Sequence, residues 1–160
     1  MSEPFWLGNA RRYLGTAETP GRETTPAIRR WLIELGAWWS DDETPWCGVF
    51  VAEVMRESGI ERPANWYRAR AWADWGDALL WPELGCVAVF ARAGGGHVGF
   101  VLGEDQRQRL MVLGGNQGNR VSITPIDRVR AVAFRWPTGQ TRHNLLPVLR
   151  SDGQTSSNEA

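Results

Sequence analysis

"TPWCGVFVAEVMRESGI", residues 44–60, decides how this chain of 160 residues is read. Thr44 followed by Pro45 is a helix-start signature: a side-chain oxygen to cap the first turn, then a ring already fixed at helical φ. Cys47, Phe50, Val51, Val54 and Met55 recur at i, i+3, i+4, i+7 and i+8, one face of a helix that Gly59 ends. One of only two cysteines thus sits in the first turn. There, unpaired N–H groups and the positive end of the macrodipole favour a thiolate. On the same apolar face the residue also reads as a small buried hydrophobe. The stretch alone leaves both readings open.

Upstream, "PFWLGNARRYLG" carries apolar Phe5, Leu7, Ala10 and Leu14 and stops at Gly15, a second helix. "TAETPGRETTP" is a loop. A third helix starts with Thr25 as cap and Pro26 in its first turn, buries Ile28, Trp31, Leu32 and Leu35, and stops at Gly36. "AWWSDDE" is a further loop. Between Arg62 and Leu84 lies a tryptophan-dense region expected to hold one short helix with irregular flanks.

From Gly85 the period changes. "CVAVFA", "HVGFVLG", "LMVLGG", "VSITPI" and "AVAFRW" are short β-branched runs separated by Gly or charged turns, the pattern of an antiparallel meander. Helices first and strands second predict an α+β domain over residues 1–137. Residues 138–160 lose period and gain polar side chains, and the last ten or so are expected to be disordered.

Composition removes several function classes. Lys+Arg and Asp+Glu both number 18, so no basic patch is forced and phosphate-driven binding of nucleic acid is not expected. No apolar run approaches the roughly 18 residues of a membrane span, so stable membrane insertion is not expected. "MSEPFWLGNARRYLG" lacks the basic start and apolar middle of a secretory signal, which predicts synthesis in the cytoplasm and another route for any export. Two cysteines and two histidines without CxxC or HxxxH spacing make no structural zinc site, and neither a metal nor a cofactor is expected. Asp41, Asp42 and Glu43 do not have the spacing of a calcium-binding EF-hand and read as a solvated loop.

His97 opens a strand directly after the flexible "AGGG" loop, where Gly94 to Gly96 let another group or a substrate approach the backbone closely. His143 lies in the tail, so His97 is the candidate base. The third candidate comes from register. A hairpin centred between Gln106 and Arg107 pairs Val101 with Val112, Gly103 with Leu110, and so His97 with Asn116. It also gives Val98, Phe100 and Leu102 one coherent apolar face. Directly opposed residues have Cβ atoms about 5 Å apart, close enough for an amide oxygen to orient an imidazole. A one-residue bulge would bring Gln117 into that role instead, and "GGNQGN" also reads simply as a turn.

Cysteine at a helix start followed by histidine and asparagine on neighbouring strands is the order and chemistry of papain-like enzymes. The thiolate attacks an amide carbonyl, protonated histidine donates to the leaving amine, and the neutral ring then activates water. The Cys47 N–H is a candidate oxyanion donor, in competition with a Thr44 cap.

The wording of these segments adds to the spacing. "TPWCGVFVAEVMRESG", "GCVAVFARAGGGHVGFVLGED", "VLGGNQGNRVSI" and "AVAFRWP" resemble a phage and bacterial branch of the NlpC and CHAP superfamily of cell-wall hydrolases. "WLGNARRYLGTAETPG" is similar to that branch's opening helix and loop, so the resemblance runs from about Trp6 to Pro137. It implies a papain-like fold and cleavage of an amide bond in peptidoglycan, with Cys47, His97 and Asn116 on the catalytic positions. Many NlpC relatives place a second histidine third, whereas Asn at that position is similar to CHAP proteins. Trp46, Trp66, Gly96 and Gln117 are the candidate substrate-binding residues, the tryptophans being otherwise core side chains.

The resulting expectation is a monomeric hydrolase of the peptidoglycan stem peptide, a phage-type lysin or a delivered antibacterial effector. It would reach the wall in the periplasm by holin-type release or by a secretion system, with delivery machinery or an immunity protein as partner. Two alternatives keep the same fold: a module that binds wall peptide without cutting it, and an acyltransferase that resolves the thioester with an amine.

Overall fold

The computed structural model describes residues 3–18, 25–39, 45–157 and 159. Three helices, α1 (Phe5–Arg11), α2 (Pro26–Leu35) and α3 (Cys47–Glu57), precede six strands. These are β1 (Asp77–Leu79), β2 (Val87–Arg92), β3 (Gly95–Glu104), β4 (Leu110–Gly114), β5 (Ser122–Ile126) and β6 (Ala131–Trp136). They form one antiparallel sheet in the order β1-β6-β2-β3-β4-β5, the α+β architecture expected. No helix among the described residues is long and apolar enough to cross a membrane.

The meander holds for β2 to β5 and then breaks: β6 crosses back to pair with β2, and the short β1 covers its outer edge. Five similar apolar runs fit either order, so their periodicity does not distinguish the two. The tryptophan-dense region supplies a 3₁₀ helix, Ala69–Asp74, as well as β1.

The central helix is α3, with every residue from Cys47 to Met55 buried. It begins at Cys47, after Trp46 and not at Pro45; Thr44 and the acidic run Asp41, Asp42 and Glu43 lie outside the described residues. Val51, Val54 and Met55 are fully buried, each stabilising the fold by about 1.5–3 kcal/mol through apolar area removed from water. Gly48 permits close approach of the chain above it. A Cβ there would lie 2.7 Å from the Trp66 carbonyl oxygen and 2.8 Å from that of Tyr67. Any side chain would push this segment off the helix start.

Phe100 opposes Leu113 and Val101 opposes Val112, as the hairpin register predicts, but a bulge at Leu102 shifts Gly103 onto Met111. The irregularity lies on the turn side of the hairpin and leaves the His97 end in its expected register. There, however, β4 ends at Gly114 and the chain turns.

The tail differs from the disordered end expected. The Leu149 N–H donates to the Glu104 carbonyl at 2.7 Å and the Ser156 N–H to that of Pro125 at 2.8 Å. Arg109, paired with buried Asp105, donates to the Gly153 carbonyl at 2.7 Å and to Thr155 Oγ1 at 2.9 Å. The composition is polar, but its partners are polar groups left on the sheet, and these contacts offset the entropy of ordering it.

Candidate active site

Cys47 is the first residue of α3, and His97 lies in β3, whose partner β2 covers one face of the ring. Phe90 stacks on the imidazole with ring centroids 6.2 Å apart and planes 29° apart. The ring is fully buried. Its Nε2 lies 2.8 Å from Gln117 Oε1. The Gln117 amide nitrogen donates to the carbonyls of Val112 at 3.1 Å and Ser122 at 2.8 Å, so the oxygen is the atom facing the ring. An oxygen can only accept, which puts a proton on Nε2.

Nδ1 is buried without a hydrogen-bond partner among the described residues. Cys47 and His97 lie close enough to shift one another. Burial pushes the Cys47 thiol up, but hydrogen bonding and charge from His97, with the backbone at Val98 and Gly48, outweigh it and bring the thiol below its ordinary value. Burial pushes His97 down; the Cys47 thiolate, the Gln117 amide and the charge of Glu159 outweigh it and hold the ring above its ordinary value. Opposite shifts of this kind favour a thiolate–imidazolium pair.

Asn116, placed opposite His97 by the register, is buried but turned elsewhere. Its φ of 59° puts it in the left-handed region, where the chain leaves β4. Its Nδ2 donates to the Glu159 carbonyl at 3.1 Å, and its Oδ1 has no partner among the described residues. The turn delivers the next side chain, Gln117, to the ring, the alternative that the sequence left open. Gly114 makes room: a Cβ there would lie 2.5 Å from Gln117 Oε1 and 3.3 Å from His97 Nε2.

Behind Asn116, Arg130 donates to both oxygens of the buried Glu159 carboxylate, at 3.0 and 2.6 Å, and Ser156 Oγ donates to it at 2.5 Å. Burial pushes this carboxyl up, but Arg130, Ser156 and the His97 charge hold it below the usual range. Neither Arg130 nor Glu159 carries a signal in the sequence, because only the returning tail brings them beside the site.

The substrate-binding candidates divide. Gly96 and Cys47 both line a cleft of about 400 Å³. Trp46 does not face it. This indole is buried against Trp31 and donates to Glu18 at 2.9 Å, because its large apolar area is worth more in the core. Trp66 is half-buried, stacked on Trp39 with centroids 5.8 Å apart. Gln117 stands behind His97, away from solvent. Cys86 is free and buried, in the segment paired beside β3, and burial pushes its thiol up to about 12. No group of three His, Cys, Asp or Glu able to hold a metal occurs among the described residues.

The CHAP domain family model matches residues 39–116, a span that holds Cys47 and His97 and stops one residue before Gln117. This agrees with the CHAP and NlpC superfamily that the sequence resembles. No curated protein and no solved structure matches the chain.

Proposed function

We propose that this chain of the CHAP/NlpC-type superfamily is a cysteine hydrolase of amide bonds in the peptidoglycan stem peptide, with Cys47 as nucleophile, His97 as acid and base, and Gln117 as the group that orients the ring. A peptidoglycan hydrolase-like function is what a CHAP domain implies in general. The bond type and the residue roles belong to the proposal. They are supported most by the hydrogen bond that ties His97 Nε2 to Gln117 and leaves Nδ1 without a partner among the described residues, in a ring that Cys47 is near enough to shift.

The chemistry follows from the proton positions. Cys47 Sγ, already favoured as thiolate, adds to the scissile carbonyl carbon, and the charge that forms on its oxygen meets N–H groups at the start of α3. The proton on His97 Nδ1 passes to the leaving nitrogen, the C–N bond breaks, and an acyl-thioester remains on Cys47. Nδ1, now neutral, accepts a proton from water; the hydroxide adds to the thioester and the thiolate leaves. Throughout, Nε2–H stays on Gln117, which keeps one tautomer in place without adding charge. Asn116 acts one step further back, by holding the turn that carries Gln117.

Such an enzyme serves as a phage-type lysin or a delivered antibacterial effector, acting on the wall in the periplasm. Digestion of purified peptidoglycan, with mass spectrometry of the fragments, tests the reading. New amino termini are expected from the native protein and none from Cys47→Ala. New reducing ends would instead indicate glycosidic cleavage.

A further inference from the structure

The cleft that Cys47 lines is also lined by three arginines, Arg68, Arg70 and Arg92, and by no carboxylate. Six arginines elsewhere, Arg11, Arg12, Arg56, Arg109, Arg130 and Arg142, each meet a carboxylate at 2.8 Å or less. The three in the cleft have no ion pair among the described residues.

Two of them are held in place by the backbone that leads into His97. Arg70 Nη2 donates to the Gly95 carbonyl and Arg92 Nε to the Gly96 carbonyl, each at 3.0 Å. Gly96 lies under the Arg70 stem, whose Cγ would be 3.1 Å from a Cβ at that position. Arg68 lies over the Tyr67 ring at 5.6 Å from its centroid. A guanidinium has five N–H donors, and one backbone contact leaves the rest of the fork uncommitted. Three positive, partly anchored groups beside a nucleophile, without acids to neutralise them, lack an anionic partner. The rigid fork suits a carboxylate, which it can bind through two parallel hydrogen bonds.

We infer that Arg68, Arg70 and Arg92 form a carboxylate subsite, and that the protein selects acidic peptides in which a free carboxylate lies on the residue supplying the scissile carbonyl or on its neighbour. The short span follows from the shared cleft: Cys47 and the guanidiniums line one cavity, so one short segment must satisfy both. A stem peptide with an amidated carboxylate would offer the same scissile bond without the anion, and would bind less well. The inference rests on the hydrolase reading only in taking Cys47 to mark where the amide sits.

Binding can be measured apart from cleavage. The Cys47→Ala protein would be titrated calorimetrically with two synthetic stem peptides, identical except that one carries free carboxylates and the other carboxamides, at low and at high salt. The acidic peptide is expected to bind about tenfold tighter or better, the difference shrinking with salt. Arg68→Gln, which removes an exposed side chain, should reduce that preference several-fold with the fold intact by circular dichroism. Arg92→Lys, retaining charge but losing the fork, should reduce it as well. Equal affinity for the two peptides, a preference for the carboxamide, no binding of either, or a preference unchanged in Arg68→Gln, Arg70→Gln and Arg92→Gln would each overturn the subsite. Wild-type protein that cleaves both peptides equally leaves the hydrolase standing without it. An acid preference in binding with no cleavage by wild type leaves the subsite standing without the hydrolase.

Discussion

His97 Nε2 is held 2.8 Å from Gln117 Oε1, and the Gln117 amide nitrogen is committed to two backbone carbonyls, so ring and amide fix each other's orientation. Gln117→Ala is expected to lower kcat by roughly 10- to 100-fold with little change in KM, since ring orientation matters most in the transition state. In a cycle with His97→Ala the losses should be non-additive, the double variant matching His97→Ala alone. Asn116→Ala, acting through the turn, should cost less than Gln117→Ala. The reverse ranking would return the orienting role to Asn116.

The two thiols should differ in reactivity. Iodoacetamide on the native protein at neutral pH is expected to label Cys47 and spare Cys86, which is buried and whose thiol is pushed up to about 12. Peptide mapping after labelling reads this directly. Activity should fall in step with Cys47 modification, and Cys86→Ala should retain most of it.

The pH profile of kcat/KM should be a bell, rising as Cys47 loses its proton below its ordinary range and falling as His97 loses its proton above its own. Because the Gln117 hydrogen bond is one of the contributions that raise His97, Gln117→Ala should move the alkaline limb to lower pH. Glu159→Gln should move it the same way by removing a nearby negative charge. A merely structural role for either residue would lower the plateau without moving the limb.

Glu159 also makes an acid-stability prediction. Its folded-state pKa is lowered, so its contribution is present above the unfolded value of 4.5 and is lost as pH falls through the lowered folded value. Thermal melts between neutral and acid pH should show that loss in the native chain and a smaller one in Glu159→Gln. At neutral pH the variant should be destabilised by roughly 1.5–3 kcal/mol, the worth of hydrogen bonds between charged groups, since Arg130 loses the opposite charge while keeping its bonds to the Ala91 and Ser156 carbonyls.

Much of the fold is legible in the residues. The face made by Cys47, Phe50, Val51, Val54 and Met55 specifies α3, and four β-branched runs specify β2 to β5, because burial imposes periods of 3.6 and 2. β1 is three residues long and exists only through its pairing with β6, so no local pattern marks it. At the site, Cys47 and His97 are legible from helix start and glycine loop. The choice between Asn116 and Gln117 turns on one left-handed φ that hydrophobic pattern does not encode. Glu159, 43 positions beyond the asparagine whose side chain it receives, is a long-range contact with no local signature.

The bond from Asn116 to the Glu159 carbonyl sets a schedule for the growing polypeptide. Strands β2 to β5 are complete before β6 and the segment beyond it have left the ribosome. A partly synthesised molecule would therefore hold its thiol and imidazole while the turn carrying Gln117 still lacked its backing. Competence for chemistry would be acquired only when the returning segment docks.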